Sequence, residues 1–256
     1  MRLLAIGDVC GEPGMEGLRR HLRALAALHR ADIVICNGEN ADVLGIRPAQ
    51  AEQIWDMGVD VITLGNHTWK RREIAGLLDD SARIIRPANF APQLPGTGAA
   101  MLTTPTGYTL CVLNLIGRYN CEWSADNPFT TADRLLERNK ADMYVVDFHA
   151  EASSEKKAMG YYLDGRVSAV FGTHTHTQTA DERVLPKGTG YISDLGMCGA
   201  VDSILGIKPE QSLNLFLGGL PERFECPDGP ARIEGALFEI EEPSGRCLSV
   251  TRFFAE

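Results

Sequence analysis

Within the first 64 residues, short apolar runs alternate with amphipathic stretches too long to be turns. Leu3–Ile6, Ile33–Cys36 and Val59–Leu64 read as buried strands. Between them lie two predicted helices. One covers about Met15–His29, where Leu18, Leu22, Leu25 and Leu28 recur at helical spacing. The other opens on Pro48, runs to Met57 and stops at Gly58. Strands joined by helices of this length call for right-handed crossovers and a largely parallel sheet.

The rest of the chain changes character. Thr103–Tyr108 predicts a turn between strands Ala100–Leu102 and Thr109–Leu115. Tyr144–Phe148 and Val167–Phe171 are further buried strands on either side of a helix at about Ser153–Leu163. Ile233–Ile240 and Cys247–Phe254 read as an antiparallel hairpin around Pro243–Gly245. Neither an internal repeat nor a linker rich in Pro, Gly or Ser interrupts the 256 residues. One domain spanning 1–256 is therefore expected, built on a mixed sheet or two packed sheets with helices outside.

Charge narrows the partners. Twenty-five basic against thirty-four acidic side chains leave −9, which argues against holding long nucleic acid through the overall field. A small anionic substrate stays compatible if something local reverses the sign. No apolar run approaches the ~20 residues of a membrane span. Leu3–Ile6 is cut off by Asp8, too short an apolar stretch for a signal peptide, so no membrane association is expected. The seven cysteines are scattered and none forms a C-x-x-C pair. That pattern suggests neither a disulfide framework nor a zinc knuckle, and a reducing cytoplasm is the expected compartment. Homo-oligomerisation is the default expectation for a soluble enzyme.

The informative polar residues fall at strand ends. The first strand ends in Gly7-Asp8, the second in Asn37-Gly38-Glu39-Asn40 and the third in Gly65-Asn66-His67. Tyr144–Phe148 runs into His149-Ala150-Glu151, and Val167–Phe171 into Gly172-Thr173-His174-Thr175-His176. Ligands bind at the carboxyl ends of strands in open α/β sheets, so these segments are expected to converge. Flanking threonines favour an extended backbone at His174 and His176, which would turn both imidazoles to one side. His21 and His29 lie on the first helix and read as a solvated face. Imidazole, carboxylate and amide oxygen together suit a pair of borderline divalent metals.

These residues resemble the calcineurin-like metallophosphoesterases. More closely, Gly38-Glu39-Asn40, Gly65-Asn-His-Thr-Trp69, Arg86-Pro-Ala-Asn-Phe90, Asp147-Phe-His-Ala-Glu151 and Gly172-Thr-His-Thr-His-Thr-Gln-Thr-Ala-Asp181 resemble the bacterial YmdB-like branch, in order and over essentially the whole chain. The resemblance implies an α/β fold of two packed mixed sheets flanked by helices, an α/β/β/α sandwich. It implies hydrolysis of phosphodiesters, 2′,3′-cyclic nucleotides among them, by attack of a hydroxide bridging two divalent ions, iron or manganese, with zinc as a further candidate. RNA ends are a further candidate substrate. Position by position, it assigns Asp8, Glu39, Asn40 and His176 to one metal and Glu39, Asn66, His149 and His174 to the other, with Glu39 as the bridge. His67 takes the place of the proton donor. The wider superfamily has a histidine where this chain has Cys10; Asn40 is expected to make up the coordination, and Cys10 reads as a small buried filler.

Three other readings compete. Gly7, Gly11 and Gly14 loosely imitate a dinucleotide-binding loop followed by an acid at Glu39, but the spacing departs from G-x-G-x-x-G and Pro13 stiffens the turn. A regulatory protein that binds a nucleotide or RNA and turns it over slowly would also keep metals, with less reason for His67. A phosphomonoesterase would use the same metals. Asn89, Lys187 and Gly188–Gly190 read as ordinary loop, and Trp69 and Trp123 as packing residues.

Overall fold

The computed structural model describes residues 1–121 and 123–256. The first half holds β1 (Arg2–Ile6), β2 (Asp8–Val9), α1 (Gly11–His29), β3 (Ile33–Asn37), α2 (Pro48–Asp56), β4 (Val61–Thr63), α3 (Ile74–Asp80), β5 (Ile84–Ile85), β6 (Ala99–Thr103) and β7 (Thr109–Ile116). There follow α4 (Pro128–Arg138), β8 (Met143–His149), α5 (Ser153–Leu163), β9 (Ala169–Thr173), β10 (Arg183–Val184) and β11 (Gly190–Ile192). The chain continues through β12 (Met197–Ala200), α6 (Pro209–Phe216), β13 (Ala231–Ile240) and β14 (Cys247–Ala255).

The strands form two mixed sheets. In one the order is β2-β12-β13-β1-β3-β4-β5, with β14 paired to β13; in the other it is β10-β11-β9-β8-β7-β6. Parallel pairing joins β1, β3, β4 and β5 through helical crossovers, while β13 runs antiparallel to β1. Parallel pairing likewise joins β7, β8, β9 and β11.

Period-two alternation explains why four layers form. On β1 and β3, Leu4, Ile6, Val34 and Cys36 pack under α1 and α2 with Leu18, Leu22 and Ile54. The intervening Leu3, Ala5, Ile33 and Ile35 face the other sheet, meeting Val112, Val145 and Phe171. Beyond that sheet, Leu113, Val146 and Phe148 pack with Met159 and Leu163 of α5 and Ala132 of α4. The result is the expected helix–sheet–sheet–helix sandwich.

Several local expectations shift: α1 begins at Gly11 rather than about Met15, and β9 runs Ala169–Thr173 rather than Val167–Phe171. Leu28 does not join the buried face of α1; it is 74% exposed. At 3.6 residues per turn it sits about 80° round from Leu18, at the edge of the apolar stripe. The third strand is Val61–Thr63, shorter than Val59–Leu64, because the flanking residues are taken up by loops entering and leaving it. No helix among the described residues is long and apolar enough to cross a membrane.

Candidate metal centre and its cleft

The alternation that builds the inter-sheet core does not stop where the apolar residues do. In register with inward-facing Ile35, Val61, Val112, Val145 and Phe171 come Asn37, Thr63, Asn114, Asp147 and Thr173, all buried. They form a polar lattice at one end of the seam. Asp147 accepts from the Thr63 hydroxyl, from Thr173 Oγ1 (2.7 Å) and from Asn37 Nδ2 (3.3 Å). Asn37 Oδ1 accepts from Glu39 N (3.1 Å) and Asn114 Oδ1 from Leu64 N (3.2 Å). Two strand ends, one leading to Glu39 and the other to Asn66 and His67, are thereby tied to the second sheet.

His149 lies two residues past Asp147, on the same inner face. Because the Thr173 hydroxyl donates to Asp147, its lone pair accepts His149 Nδ1–H (2.9 Å), which leaves Nε2 as a lone pair. That atom is 2.9 Å from Asn66 Oδ1, 3.1 Å from Glu39 Oε1 and 3.1 Å from His174 Nδ1. One ligand atom each from Glu39, His149 and His174 lies within 4.8 Å of the others. Electron-pair donors packed this closely need a positive charge among them. In the polypeptide alone a proton fills the role: burial lowers the His149 pKa, but Glu39, Asp8 and Asp147 outweigh it and raise the value to about 9. His174 is pushed down to about 3 by burial and by His149. Burial also disfavours the Glu39 carboxylate, yet His149 and His67 hold its pKa below the usual range.

A second set of donors adjoins the first. Asp8 Oδ1 is fully buried, has no hydrogen-bond partner among the described residues and stands 3.9 Å from His176 Nε2. Its other oxygen accepts from His174 N (3.1 Å), and burial pushes its pKa up to about 7. Such an orphaned acceptor costs roughly 1–3 kcal/mol, more if charged, so it marks where a cation fits. Asn40 lies between Glu39 and His176, with Nδ2 3.3 Å from Glu39 Oε1 and 3.2 Å from His176 Nε2. Its Oδ1 is 2.7 Å from His67 Nδ1. That oxygen has a second lone pair with which to meet a cation. Gly65 makes room for the whole centre: a Cβ there would lie 2.3 Å from His149 Nε2 and 2.4 Å from Glu39 Oε2.

All eight expected site residues, Asp8, Glu39, Asn40, Asn66, His67, His149, His174 and His176, therefore meet in one place. The backbone expected to carry the last two is corrected. His174 (φ 101°) and His176 (φ 60°) are in the left-handed region, in a bend beyond β9. Asp194 imposes this conformation: its Oδ2 accepts from Thr175 N (3.1 Å), Thr175 Oγ1 (2.8 Å) and the buried Lys156 ammonium (2.6 Å). Neither Asp194 nor Lys156 carries a motif that sequence reasoning picks out. Glu151 also gains a part, with Oε2 3.2 Å from His174 Nε2, so that His174 turns Nδ1 towards His149. Cys10 is buried beside His176, Sγ to Nδ1 3.5 Å, and burial raises its thiol pKa. Asn89 is a buried tie between Ile116 and Asp126, and Lys187 lines a separate cavity with Gly188. Trp69 packs on Phe90, while Trp123 meets His174 edge-on at 5.5 Å.

His67 stands at the rim. Its N–H donates to Glu39 Oε2 (3.0 Å), its ring is partly exposed, and burial lowers its pKa despite Glu39. It opens on a cleft of about 320 Å³ whose far wall is apolar, formed by Val43, Leu44, Leu205, Ile207 and Phe224.

The family model described as YmdB-like protein matches residues 4–253. The chain belongs to the YmdB-like family. This YmdB-like chain is 42% identical over 255 residues to the 2′,3′-cyclic-nucleotide 2′-phosphodiesterase of Bacillus subtilis strain 168, covering 98% of this chain and 96% of that one. The crystal structure of a hypothetical protein from Thermus thermophilus superposes with a TM-score of 0.94 at 42% identity, covering 100% and 99% of the two chains. That of a novel phosphatase from Mycoplasma pneumoniae gives 0.92 at 34% identity, covering 100% and 93%. The resemblance read from the motifs is thus borne out for the YmdB-like chain as a whole.

Proposed function

We propose that this chain is a phosphodiesterase that hydrolyses small phosphodiesters such as 2′,3′-cyclic nucleotides with two divalent ions. The observation that carries the reading is Asp8 Oδ1, partnerless among the described residues, beside the cluster of Glu39, His149 and His174 with Asn66 against it. Family membership supports it, since a relative at 42% identity bears that activity in its name. Asp8, Glu39, Asn40 and His176 would hold one ion and Glu39, Asn66, His149 and His174 the other. When bound, such ions polarise phosphoryl oxygens and bring the pKa of a water from 15.7 to about 7. The donor set suits iron or manganese, with zinc as their rival.

The chain's own groups do the rest. Asp8 and Glu39 offset only part of the charge of two divalent ions, so the loaded centre attracts a phosphodiester anion despite the acidic chain. His67 supplies the proton. The ring protonated on both nitrogens gives up its Nε2 proton, while its Nδ1–H donates to Asn40 Oδ1 at 2.7 Å and stays in place when the ring becomes neutral. Water forms the new bond to phosphorus, the P–O2′ bond breaks, and the departing ribose oxygen takes the His67 proton. The apolar wall of Leu44 and Phe224 gives a nucleobase a face to lie against.

Elemental analysis of protein purified without chelators should find two ions per chain. Turnover of 2′,3′-cyclic AMP and bis-p-nitrophenyl phosphate should vanish on exhaustive chelation and return with iron or manganese. Undiminished hydrolysis after chelation sinks the proposal; faster turnover of p-nitrophenyl phosphate would move it to phosphomonoesters.

A further inference from the structure

Behind the apolar wall lies a second cavity of about 550 Å³. Val43, Leu44 and Phe224 line both spaces, so one layer of side chains separates them. The chemistry reverses across that layer. The first cleft holds carboxylates and imidazoles; the second holds Lys70, Arg71 and Arg223 against one acid, Glu222.

The two spaces are built by the same segments. The turn that places His67 at the first cleft places Lys70 at the second, with Lys70 N donating to His67 O (2.9 Å). The 42–45 loop is laid against this turn: Gly45 has φ 89°, and a Cβ on it would lie 2.9 Å from Arg71 N. Arg71 is engaged by Asp42 through its side chain and through Asp42 O (3.1 Å). Lys70 and Arg223 are exposed, and among the described residues neither forms an ion pair. Two unneutralised cations beside the centre run against a chain of net charge −9.

We propose that this cavity is a backbone-phosphate subsite, and that the substrate class is short single-stranded RNA ending in a 2′,3′-cyclic phosphate. The assignment rests on the phosphodiesterase reading of the metal cleft. The cyclic phosphate sits at the centre, the terminal base lies against Leu44 and Phe224, and the preceding phosphodiester lies between Lys70 and Arg223. Two cations suit a short strand. They do not provide the extended basic track that long nucleic acid needs.

Binding is tested first, without turnover, on the metal-loaded full chain. The probe is a 5′-fluorescent tetraribonucleotide with a 3′-terminal phosphate, read by anisotropy against competing 3′-AMP. The tetranucleotide should bind about tenfold tighter, with a log–log salt slope steeper by about 0.7 for each added phosphate contact. Lys70→Glu/Arg223→Glu, shown to be folded by circular dichroism, should erase that advantage and flatten the slope, leaving 3′-AMP binding unchanged. In turnover, the same variant should lose about tenfold in kcat/KM on a tetranucleotide ending in 2′,3′-cyclic phosphate and keep its rate on 2′,3′-cyclic AMP. Equal losses on both substrates, no wild-type preference for the tetranucleotide, or equally tight binding of inorganic tripolyphosphate would each overturn the subsite. Failure of the wild type to hydrolyse 2′,3′-cyclic AMP would sink the phosphodiesterase reading instead, and the anisotropy experiment would still decide the subsite.

Discussion

The 2.7 Å contact between His67 Nδ1 and the Asn40 amide puts the proposed proton donor one residue away from the proposed ion. His67→Ala should therefore lower kcat on 2′,3′-cyclic AMP by about 10²–10⁴, because a ribose alkoxide needs a proton to leave. On bis-p-nitrophenyl phosphate the loss should be small, since p-nitrophenolate leaves unaided. Equal losses on both substrates would remove His67 from the role. At this scale the candidate ligands were legible because each is a local word at the end of a strand: Gly-Asp, Gly-Glu-Asn, Gly-Asn-His. The lattice beneath them was not. Asn37 and Thr173 stand 136 positions apart, and the single polar residue closing each apolar alternation names no partner. Only the packing of two sheets shows that Thr173 and Asp147 decide which nitrogen of His149 keeps its lone pair.

Long, regular elements were readable from period alone: α5 spans Ser153–Leu163 as expected, and the C-terminal hairpin differs only at its ends. Short strands were not, since β2, β5 and β10 have two residues each and hold their places through neighbours rather than through pattern. The bend after β9 shows tertiary override most clearly. Threonine propensity favours an extended chain there, and a buried carboxylate on another segment wins by gripping Thr175. Lys156 and Asp194 are nearly solvent-free, so removing one partner leaves an uncompensated charge. Lys156→Met should cost about 3–5 kcal/mol in denaturant unfolding. Asp194→Ala should also release the bend and weaken metal uptake by the folded protein, as read by calorimetry. An unchanged unfolding midpoint would mean that the pair is solvated and the bend is held by other contacts.

For the whole molecule, the fold class followed from alternating strands and helices, but the seam between sheets, where the centre forms, could not be placed before the pairing was known. If the proposed centre binds its ions, it couples them to stability. A ligand at 100 times its Kd adds about 2.7 kcal/mol, or roughly 5–10 °C in Tm for a chain of this size. The sign with pH follows from Asp8 near 7 and His149 near 9, both raised in the polypeptide alone. Protons occupy these groups at neutral pH and compete with the ion, so the gain from manganese should grow between pH 6 and 9. Calorimetric scans in which the gain is absent, or shrinks as pH rises, would count against the cluster as the binding place.

The position of β13 has a consequence for synthesis. This strand, drawn from residues 231–240, lies between β1 and β12 in the middle of the first sheet. A ribosome must deliver more than 220 residues beyond β1 before that strand gains its antiparallel neighbour. Until then Leu3–Ile6 waits with one edge bare, a template for rescue by chaperones or for mispairing. Prematurely terminated products should be sticky and inert, so solubility and hydrolysis ought to appear together, late in translation.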